Sequence, residues 1–249
     1  MITVYLQGMI PILNKILNII YPEKCSFCRK VLTHEIKFNS YVCKTCFNEL
    51  SFVDPSIIKL STRVKKFNAN PLNGSYIDEC ISSFFHNGLI AKSIWSFKFR
   101  NKTSLVKMFS YYMYVSISQT YTNINFDLIT YIPMYKKREQ QRGYNQAQLL
   151  ASHLSKLLDV PLVSALTKIV NTAIQHNLSA NLRETNVIGV YKIKNKKIID
   201  GKKILLIDDI ITTGHTLNEA SKILKKNGAA KVYCATIATP LTFFFYKRN

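Results

Sequence analysis

The residues best suited to chemistry lie near the C-terminal end of the chain, directly after an apolar run. Residues 204–216 read ILLIDDIITTGHT and hold two adjacent acids and a polar turn: Asp208, Asp209, Thr212, Thr213, Gly214, His215 and Thr216. The first N–H groups of a helix have no partner inside it, so with nearby hydroxyls they attract an anion. Two adjacent carboxylates repel an anion, so they must face another group. The groups that best suit paired carboxylates here are vicinal ribose hydroxyls or a hydrated Mg²⁺. The stretch therefore predicts a site for a phosphorylated ribose.

Helix capping is the alternative explanation of this stretch. A single residue such as Asp209 or Thr213 is enough to cap a helix. Capping does not explain why two acids, three threonines and a glycine follow one buried strand. The Gly-x4-Gly-Lys spacing of a P-loop is missing from the stretch, so the predicted site is of another kind.

A second polar stretch follows the apolar run at 126–132. It carries four cations beside Gly143: Lys136, Lys137, Arg138 and Arg142. If 126–132 is a strand, this stretch is a basic loop at the carboxyl edge of the sheet. Such a loop can neutralise a pyrophosphate through charge-assisted hydrogen bonds. A solvated turn is the alternative.

Four of the six cysteines form two Cys-x2-Cys pairs: Cys25, Cys28, Cys43 and Cys46. Two such pairs can place four thiolates tetrahedrally around Zn²⁺. A module this small lacks a core of its own, and metal binding of about 10–16 kcal/mol can hold it together. A redox pair would need a βαβ setting, which the sequence around these pairs lacks. The other two cysteines lie in strand-like runs, so a reducing cytoplasm fits the chain best.

The elements that must position these residues alternate between strand and helix from residue 76 onwards. We expect strands over 76–86, 126–132, 187–193, 203–207 and 231–238. We expect helices over 88–99, 104–119, 145–158 and 216–226. Residues 168–186 show no clear hydrophobic periodicity, so we expect a mobile loop there. Strand, helix and strand in succession favour an α/β fold with a parallel sheet and right-handed crossovers.

The domain organisation follows from the same pattern. We expect an amphipathic helix over 1–24, a zinc-ribbon module over 25–50, a linker or eroded module over 51–75 and one larger domain over 76–249. The first residues lack the basic start and the cleavage site of a signal peptide. Polar residues interrupt their apolar run, so we expect no transmembrane span. A helix packed on the protein is favoured there over an anchor at a membrane surface.

The chain is strongly basic. Its 249 residues include 34 Lys and Arg against 14 Asp and Glu, for a net charge of +20. Such a charge favours polyanions, among them nucleic acid and nucleotide phosphates. Most of the cations are lysines, which also fits a coding bias, and lysine lacks the planar fork of arginine. Binding to nucleic acid is thus an open alternative, and base-specific recognition is disfavoured.

The acidic stretch resembles the signature of type I phosphoribosyltransferases, which bind phosphoribosyl pyrophosphate with Mg²⁺. The resemblance implies that Asp208 and Asp209 contact the ribose hydroxyls and that residues 212–216 hold the 5′-phosphate. Purine-salvage members usually carry an aspartate where this chain has Thr212. This departure argues against a purine base handled by a carboxylate at that position.

A narrower resemblance covers about residues 20–238. The sequence Arg-Gly-Tyr-Asn-Gln at 142–146, the cysteine pairs and a polar loop together resemble the ComF (ComFC) family of late-competence proteins. The loop residues that match are Thr172, Gln175, Arg183 and Asn186. The resemblance implies a parallel-sheet type I phosphoribosyltransferase fold preceded by a small zinc ribbon with four cysteines. The chain departs from many members at Val170, where they carry a basic residue, and it has no second cysteine module at 47–75.

The resemblance also implies a function. It points to a cytoplasmic protein that is linked to uptake of single-stranded DNA in natural transformation. It also implies a helicase-like partner and an association with the membrane through the competence machinery. It implies structural zinc, Mg²⁺ with phosphoribosyl pyrophosphate, and phosphoribosyl transfer to an unidentified acceptor. Two alternatives stay open: a non-catalytic DNA-binding or adaptor protein, and a regulatory binder that senses a phosphorylated ribose without turnover.

Overall fold

The computed structural model of the chain describes residues 21–33, 39, 41–53, 76–170 and 189–240. The chain divides into two compact units, 1–50 and 51–249. Three expectations lie largely outside the described residues: the helix over 1–24, the linker over 51–75 and the loop over 168–186.

The N-terminal unit is held by tight turns. Its one described helix is α1, Lys44–Asn48. In the first cysteine pair, the N–H of Cys25 donates to the carbonyl of Lys30 at 2.8 Å, and Arg29 has a left-handed φ of 65°. Before the second pair, the side-chain oxygen of Asn39 accepts from two backbone N–H groups at 2.8 and 3.0 Å. Backbone hydrogen bonds thus shape both turns.

The larger unit is built on a parallel sheet. Its strands in chain order are β1 Glu79–Phe85, β2 Leu128–Tyr131, β3 Leu166–Lys168, β4 Tyr191–Ile193, β5 Lys203–Ile210 and β6 Lys231–Thr239. Four of them form one sheet in the order β1-β6-β5-β2, in which every neighbouring pair is parallel. The central strands β5 and β6 are nearly continuous apolar runs, as expected for strands covered on both faces.

Helices cover both faces of this sheet. The described helices of this unit are α2 Gly88–Phe99, α3 Leu105–Thr120, α4 Lys136–Arg142, α5 Gln146–Leu158 and α6 His215–Lys226, of which α3, α5 and α6 pack on the sheet. Leu217 and Leu224 of α6 pack in one core cluster with Ile204 and Leu206 of β5. Side chains alternate along a strand, so the equally buried Leu205 faces the other side, where α3 and α5 pack together against the sheet.

The predicted strands and helices are present, but the structure differs from our expectations in two features. Residues 136–142 form α4, whereas we expected a loop; its side chains are all polar and none is buried, so no apolar period marks it. Gly143, in a left-handed conformation with φ of 87°, ends this helix. In addition, β4 is short and pairs antiparallel with β3 in a separate two-stranded sheet.

None of the helices within the described ranges is long and apolar enough to cross a lipid bilayer.

Candidate functional site

Two adjacent acids lie at the carboxyl end of β5, the edge where ligands bind in open parallel α/β sheets. Asp208 and Asp209 follow four buried residues of the strand. A carboxylate oxygen of Asp209 lies 2.9 Å from Nζ of Lys98, near the end of α2. The backbone N–H of Asp209 donates to Oδ1 of Asp208 at 2.8 Å. The two carboxylates therefore differ in environment, because one forms an ion pair and the other accepts a backbone hydrogen bond.

The pKa of Asp208 reflects this difference. Burial and the charge of Asp209 raise the pKa of Asp208 to about 8, while the Asp209 amide and the cations Lys98 and Lys168 oppose the shift. A carboxyl group with such a pKa keeps its proton at neutral pH until a cation stabilises the charged form. Asp208 is thus suited to respond to a bound cation or to a sugar hydroxyl.

The turn after the acids leads directly into α6. Gly214 has a φ of 79°, in the left-handed region that favours glycine. A Cβ at this position would meet Cδ1 of Ile211 at 3.7 Å, an ordinary contact, so the backbone conformation is what requires glycine. Gly214 has no side chain that could cap the helix, which leaves the first N–H groups of α6 to an anion. Exposed Thr212 and partly buried Thr213 and His215 lie in the same turn.

Helix α4 directs two of its four cations toward this edge of the sheet. Arg138 and Arg142 are four residues apart, so they lie on one face of the helix. Both are partly buried and line a cavity, whereas Lys136 and Lys137 are exposed and do not line it. Nη1 of Arg142 donates to Oε1 of Gln146 at 2.8 Å. Two arginines are therefore held beside the acids.

The residues after Arg142 hold it in place. The hydroxyl of Tyr144 donates to the carbonyl oxygen of Phe97, and the two rings pack with centroids 6.0 Å apart. Tyr144 is thus a packing residue. The side chain of Asn145 caps the start of α5 and donates to the carbonyl oxygen of Ile132 at 3.0 Å. The contacts of Tyr144 hold the segment after Arg142 against α2, and the hydrogen bond of Asn145 holds it against the end of β2.

The acids, the helix start and the arginines share one cavity of about 600 Å³. Five residues expected from the sequence line it: Asp208, Asp209, Thr216, Arg138 and Arg142. Four others lie in the turn that precedes Thr216 and are not part of the lining: Thr212, Thr213, Gly214 and His215. The expected loop residues lie outside the described part of the chain: Thr172, Gln175, Arg183 and Asn186.

Four further lining residues escaped the sequence analysis: His86, Lys98, Lys168 and Tyr191. His86 directly follows β1, so its position at the carboxyl edge of the sheet could have been predicted from the strand pattern. Lys98 carried no such signal, because its position depends on where α2 lies relative to β5. Lys168 and Tyr191 belong to the small antiparallel sheet, which no local pattern indicated.

The cavity holds more positive than negative groups. Burial and the charge of Lys98 lower the pKa of His86, although Asp209 opposes the shift. Burial and the charge of Arg138 lower the pKa of Lys168, with Asp208 opposing. Both shifts have the direction expected where cations lie close together and partly out of water. An anionic ligand would relieve this repulsion.

The four cysteines of the N-terminal unit come together. Their sulfur atoms all lie within 4.8 Å of one another, and Sγ of Cys28 is 3.8 Å from Sγ of Cys43. Burial raises the pKa of the Cys25 thiol, but hydrogen bonds from backbone N–H groups, led by that of Cys43, outweigh it and lower the pKa to about 7. The N–H of Cys46 also points at Sγ of Cys43, at 3.5 Å. The cluster fits a zinc ribbon, in which four thiolates surround Zn²⁺.

The class of the larger unit follows from its sheet and from comparison with known proteins. The sequence profile of the phosphoribosyl transferase domain matches residues 143–242. Together with the parallel sheet and the helices on both of its faces, this match gives the larger unit the phosphoribosyltransferase type of fold. The cysteine cluster precedes it in the chain.

Comparison with curated proteins narrows the class to a family. Competence protein F of Haemophilus influenzae is 30% identical over 213 residues, which cover 84% of this chain and 86% of that protein. Competence protein ComFC of Bacillus subtilis is 28% identical over 213 residues, covering 81% and 85%. DNA utilization protein YhgH of Escherichia coli is 37% identical over 107 residues, covering 43% and 46%. The chain belongs to the ComF (ComFC) family of competence proteins.

Solved structures show only a distant likeness. A purine phosphoribosyltransferase from Pyrococcus horikoshii is 18% identical, with a TM-score of 0.34, over 54% of this chain and 72% of that chain. The allosteric regulatory enzyme of purine biosynthesis is 20% identical, with a TM-score of 0.36, over 54% of this chain and 25% of that one. Likeness at this level carries no argument about the substrate.

Proposed function

We propose that the cavity of the larger unit binds phosphoribosyl pyrophosphate together with Mg²⁺. The observation that carries the proposal is that two adjacent acids, the start of α6 and two arginines meet around one cavity of about 600 Å³. The 5′-phosphate would lie against the N–H groups at 213–216, next to the cavity where Thr216 lines it, and the ribose hydroxyls at Asp208 and Asp209. The pyrophosphate would lie between Arg138 and Arg142, whose planar forks suit phosphate oxygens.

The charges of the cavity support an anionic ligand of this kind. Asp209 is already paired with Lys98 at 2.9 Å. Burial and the charge of Asp209 raise the pKa of Asp208 to about 8, which disfavours a second negative charge there. The acids therefore add little net negative charge, and the neighbouring arginines make the cavity positive. When bound, Mg²⁺ would neutralise phosphate oxygens and favour the ionised form of Asp208.

We further propose that the bound phosphoribosyl group is transferred to an acceptor. A lone pair of the acceptor would attack the anomeric carbon of the ribose. The bond from that carbon to the pyrophosphate oxygen would break, its electron pair would leave with pyrophosphate, and the acceptor's proton would pass to water. Arg138 and Arg142 would stabilise the charge that develops on the leaving group, so that positioning and electrostatics supply most of the rate.

Titration calorimetry with phosphoribosyl pyrophosphate tests the binding step. We expect the wild-type chain to bind in the presence of Mg²⁺, and Asp209→Asn to bind about tenfold more weakly, as is usual when a hydrogen bond to a charged group is lost. Asp127→Asn is the matched control, because Asp127 lies at the opposite end of β5, 2.7 Å from the N–H of Lys203. Lack of Mg²⁺-dependent binding by the wild type would contradict the proposal.

Release of pyrophosphate tests the transfer step separately. Nucleobases and amines would be screened as acceptors with Mg²⁺ and phosphoribosyl pyrophosphate. Product formation that disappears in the double variant of Asp208 and Asp209 supports an enzyme. Binding without any release of pyrophosphate supports the alternative, a sensor or adaptor on the same scaffold.

A link to DNA uptake is the second part of the proposal. Its support is the net charge of +20 and the names of the relatives, which are competence and DNA utilization proteins. Single-stranded DNA and a helicase-like protein would be partners, in a reducing cytoplasm that keeps the thiols available for zinc. Lysine-rich phosphate contacts predict binding that weakens steeply with salt and shows little sequence preference. An absence of single-strand binding at low salt would overturn this part.

A further inference from the structure

Two exposed aromatic rings lie beside the cavity. Trp95 and Phe99 are four residues apart on α2 and are 48% and 49% exposed, with ring centroids 6.0 Å apart. Single exposed apolar residues are ordinary on a protein surface, but adjacent large rings are a feature of binding sites. Both residues also line the main cavity.

Two arginines stack on these rings. The guanidinium carbon of Arg100 lies 4.8 Å from the ring centroid of Trp95, and that of Arg142 lies 5.0 Å from the ring centroid of Phe99. A guanidinium is planar, so it can stack on an aromatic face while its edge donates to a phosphate. We call these four residues, Trp95, Phe99, Arg100 and Arg142, the aromatic shelf.

A groove of about 320 Å³ adjoins the aromatic shelf. Its polar lining consists of four cations and two amides: Lys98, Arg100, Arg138, Arg142, Asn101 and Gln141. No carboxylate belongs to this lining within the described part of the chain. The groove shares Phe99 and three cations with the main cavity, so the two spaces lie next to each other.

We propose that the aromatic shelf and its groove bind a nucleotide, with the base stacked on the rings and the phosphate against the cations. A planar ring that carries a phosphate is the chemistry that uses both features. Inorganic phosphate would leave the rings unused, and an apolar group would leave the cations of the groove unused. The nucleotide is either free or part of a single strand, because both present the same base and phosphate. Arg138 and Arg142 line both spaces, so Arg100 is the cation that distinguishes this site from the one proposed for phosphoribosyl pyrophosphate.

The fluorescence of Trp95 offers a direct test, because it is the only tryptophan in the chain. Adenosine monophosphate should quench it saturably, adenosine should do so at higher concentration, and inorganic phosphate should not quench it. Equal quenching by phosphate and by the nucleotide would overturn the proposal. A short oligothymidylate is the second arm: tighter binding than the mononucleotide assigns the site to a strand, and weaker binding assigns it to a free nucleotide.

Variants separate the aromatic shelf from the site for phosphoribosyl pyrophosphate. Arg100 lines the groove and not the main cavity. We expect Arg100→Gln and Trp95→Ala to weaken binding of a fluorescent adenosine nucleotide about tenfold, measured by polarisation, as is usual for loss of a stacking contact. Arg100→Gln should leave calorimetric binding of Mg²⁺ and phosphoribosyl pyrophosphate unchanged. Asp209→Asn should weaken binding of phosphoribosyl pyrophosphate and leave the affinity for the nucleotide unchanged.

A matched control exists elsewhere on the larger unit. Nζ of Lys222 lies 6.0 Å from the ring centroid of Tyr76, which is 37% exposed, so this is another exposed pair of a cation and a ring. Tyr76→Ala should bind the nucleotide like the wild type. Wild-type nucleotide affinity in both Arg100→Gln and Trp95→Ala, or an equal loss in Tyr76→Ala, would overturn the proposal.

Discussion

At the scale of single residues, Asp208 and Asp209 are chemically alike and are made different by their neighbours. Asp209 has the ammonium of Lys98 at 2.9 Å, so its charge is balanced. Asp208 is partly buried, and its desolvation together with the charge of its neighbour raises its pKa to about 8. One strand thus presents two adjacent carboxyl groups in different electrostatic environments. This difference has a consequence for stability that can be measured without any ligand.

We expect Asp208→Asn to stabilise the unliganded chain in alkaline solution. The ordinary pKa of this carboxyl group is 3.8, so between that value and about 8 the folded state holds a proton that the unfolded chain has released. The wild type therefore loses stability as pH rises through this window. Because one pKa unit corresponds to about 1.36 kcal/mol, even a quarter of the shift raises the Tm of the variant by about 3–6 °C.

Thermal unfolding of both proteins without ligand, near pH 4.5 and near pH 8.5, measures this effect. The difference in Tm should be small at the lower pH, which lies less than one unit above the ordinary pKa of 3.8, and should increase at the higher pH. A difference that stays the same at both values would contradict the assignment of a raised pKa to Asp208.

At the scale of elements, the site depends on how β5, α4, α5 and α6 begin and end. Gly214 starts α6 without a side-chain cap, and Gly143 ends α4, both in the left-handed conformation. Asn145 caps α5 and also satisfies the carbonyl oxygen of Ile132 at the end of β2. The cations and anion-binding groups of the cavity are therefore positioned by element ends more than by the core.

Gly214→Ala should impair both stability and ligand binding. A side chain is strained at a φ of 79°, so we expect a loss of about 1 kcal/mol and a displaced start of α6. Gly201→Ala is the control, because Gly201 has a φ of 68° in an exposed turn at the start of β5. Both variants should melt at lower temperature, and only Gly214→Ala should also weaken calorimetric binding of phosphoribosyl pyrophosphate. Equal affinity in the two variants would contradict the role of the turn.

Asn145→Ala should be clearly destabilising. It removes a helix cap worth about 1 kcal/mol and leaves the carbonyl of Ile132 without this donor, for a total of about 2 kcal/mol or more. That corresponds to a fall in Tm of about 4–8 °C.

Asn195→Ala is the comparison, because Asn195 also caps through its side chain, at an exposed 3-10 turn. It should lower the Tm by no more than about 2 °C; a similar fall in both variants would show that the contact with β2 adds nothing.

The strands and the long helices could be predicted because each has its own apolar pattern. The helix over 88–99 has the predicted bounds, and β5 continues three residues further than expected, through the acids. Sequence alone could not select Arg138 and Arg142 over Lys136 and Lys137, because that choice depends on α4 being a helix. It also could not find Lys98, which reaches Asp209 only because the strand order brings α2 to the end of β5.

At the scale of the whole molecule, two units divide the chemistry. Residues 1–50 bring four sulfur atoms within 4.8 Å of one another, and residues 51–249 carry the parallel sheet and the cavity. The excess of positive charge belongs to the chain as a whole, with 34 basic against 14 acidic residues. Metal binding and salt dependence are therefore properties to test on the full chain.

The N-terminal unit should carry zinc. We expect metal analysis of the purified chain to find about one Zn²⁺ per chain, because the four thiolates fill a tetrahedral site. Cys43→Ser should lose most of this metal, whereas Cys80→Ala, which alters a buried thiol outside the cluster, should retain it. Zinc at the wild-type level in Cys43→Ser would contradict a site made of the four cysteines.

The cavity at the end of β5 is the proposed site for phosphoribosyl pyrophosphate. A crystal structure of the chain with Mg²⁺ and a carbocyclic analogue of this compound, which cannot lose pyrophosphate, would show whether the ligand binds there. We predict the 5′-phosphate on the N–H groups at 213–216, the ring hydroxyls on Asp208 and Asp209, and the pyrophosphate beside Arg138 and Arg142. An analogue bound away from the two acids, or an empty cavity at saturating concentration, would contradict this proposal.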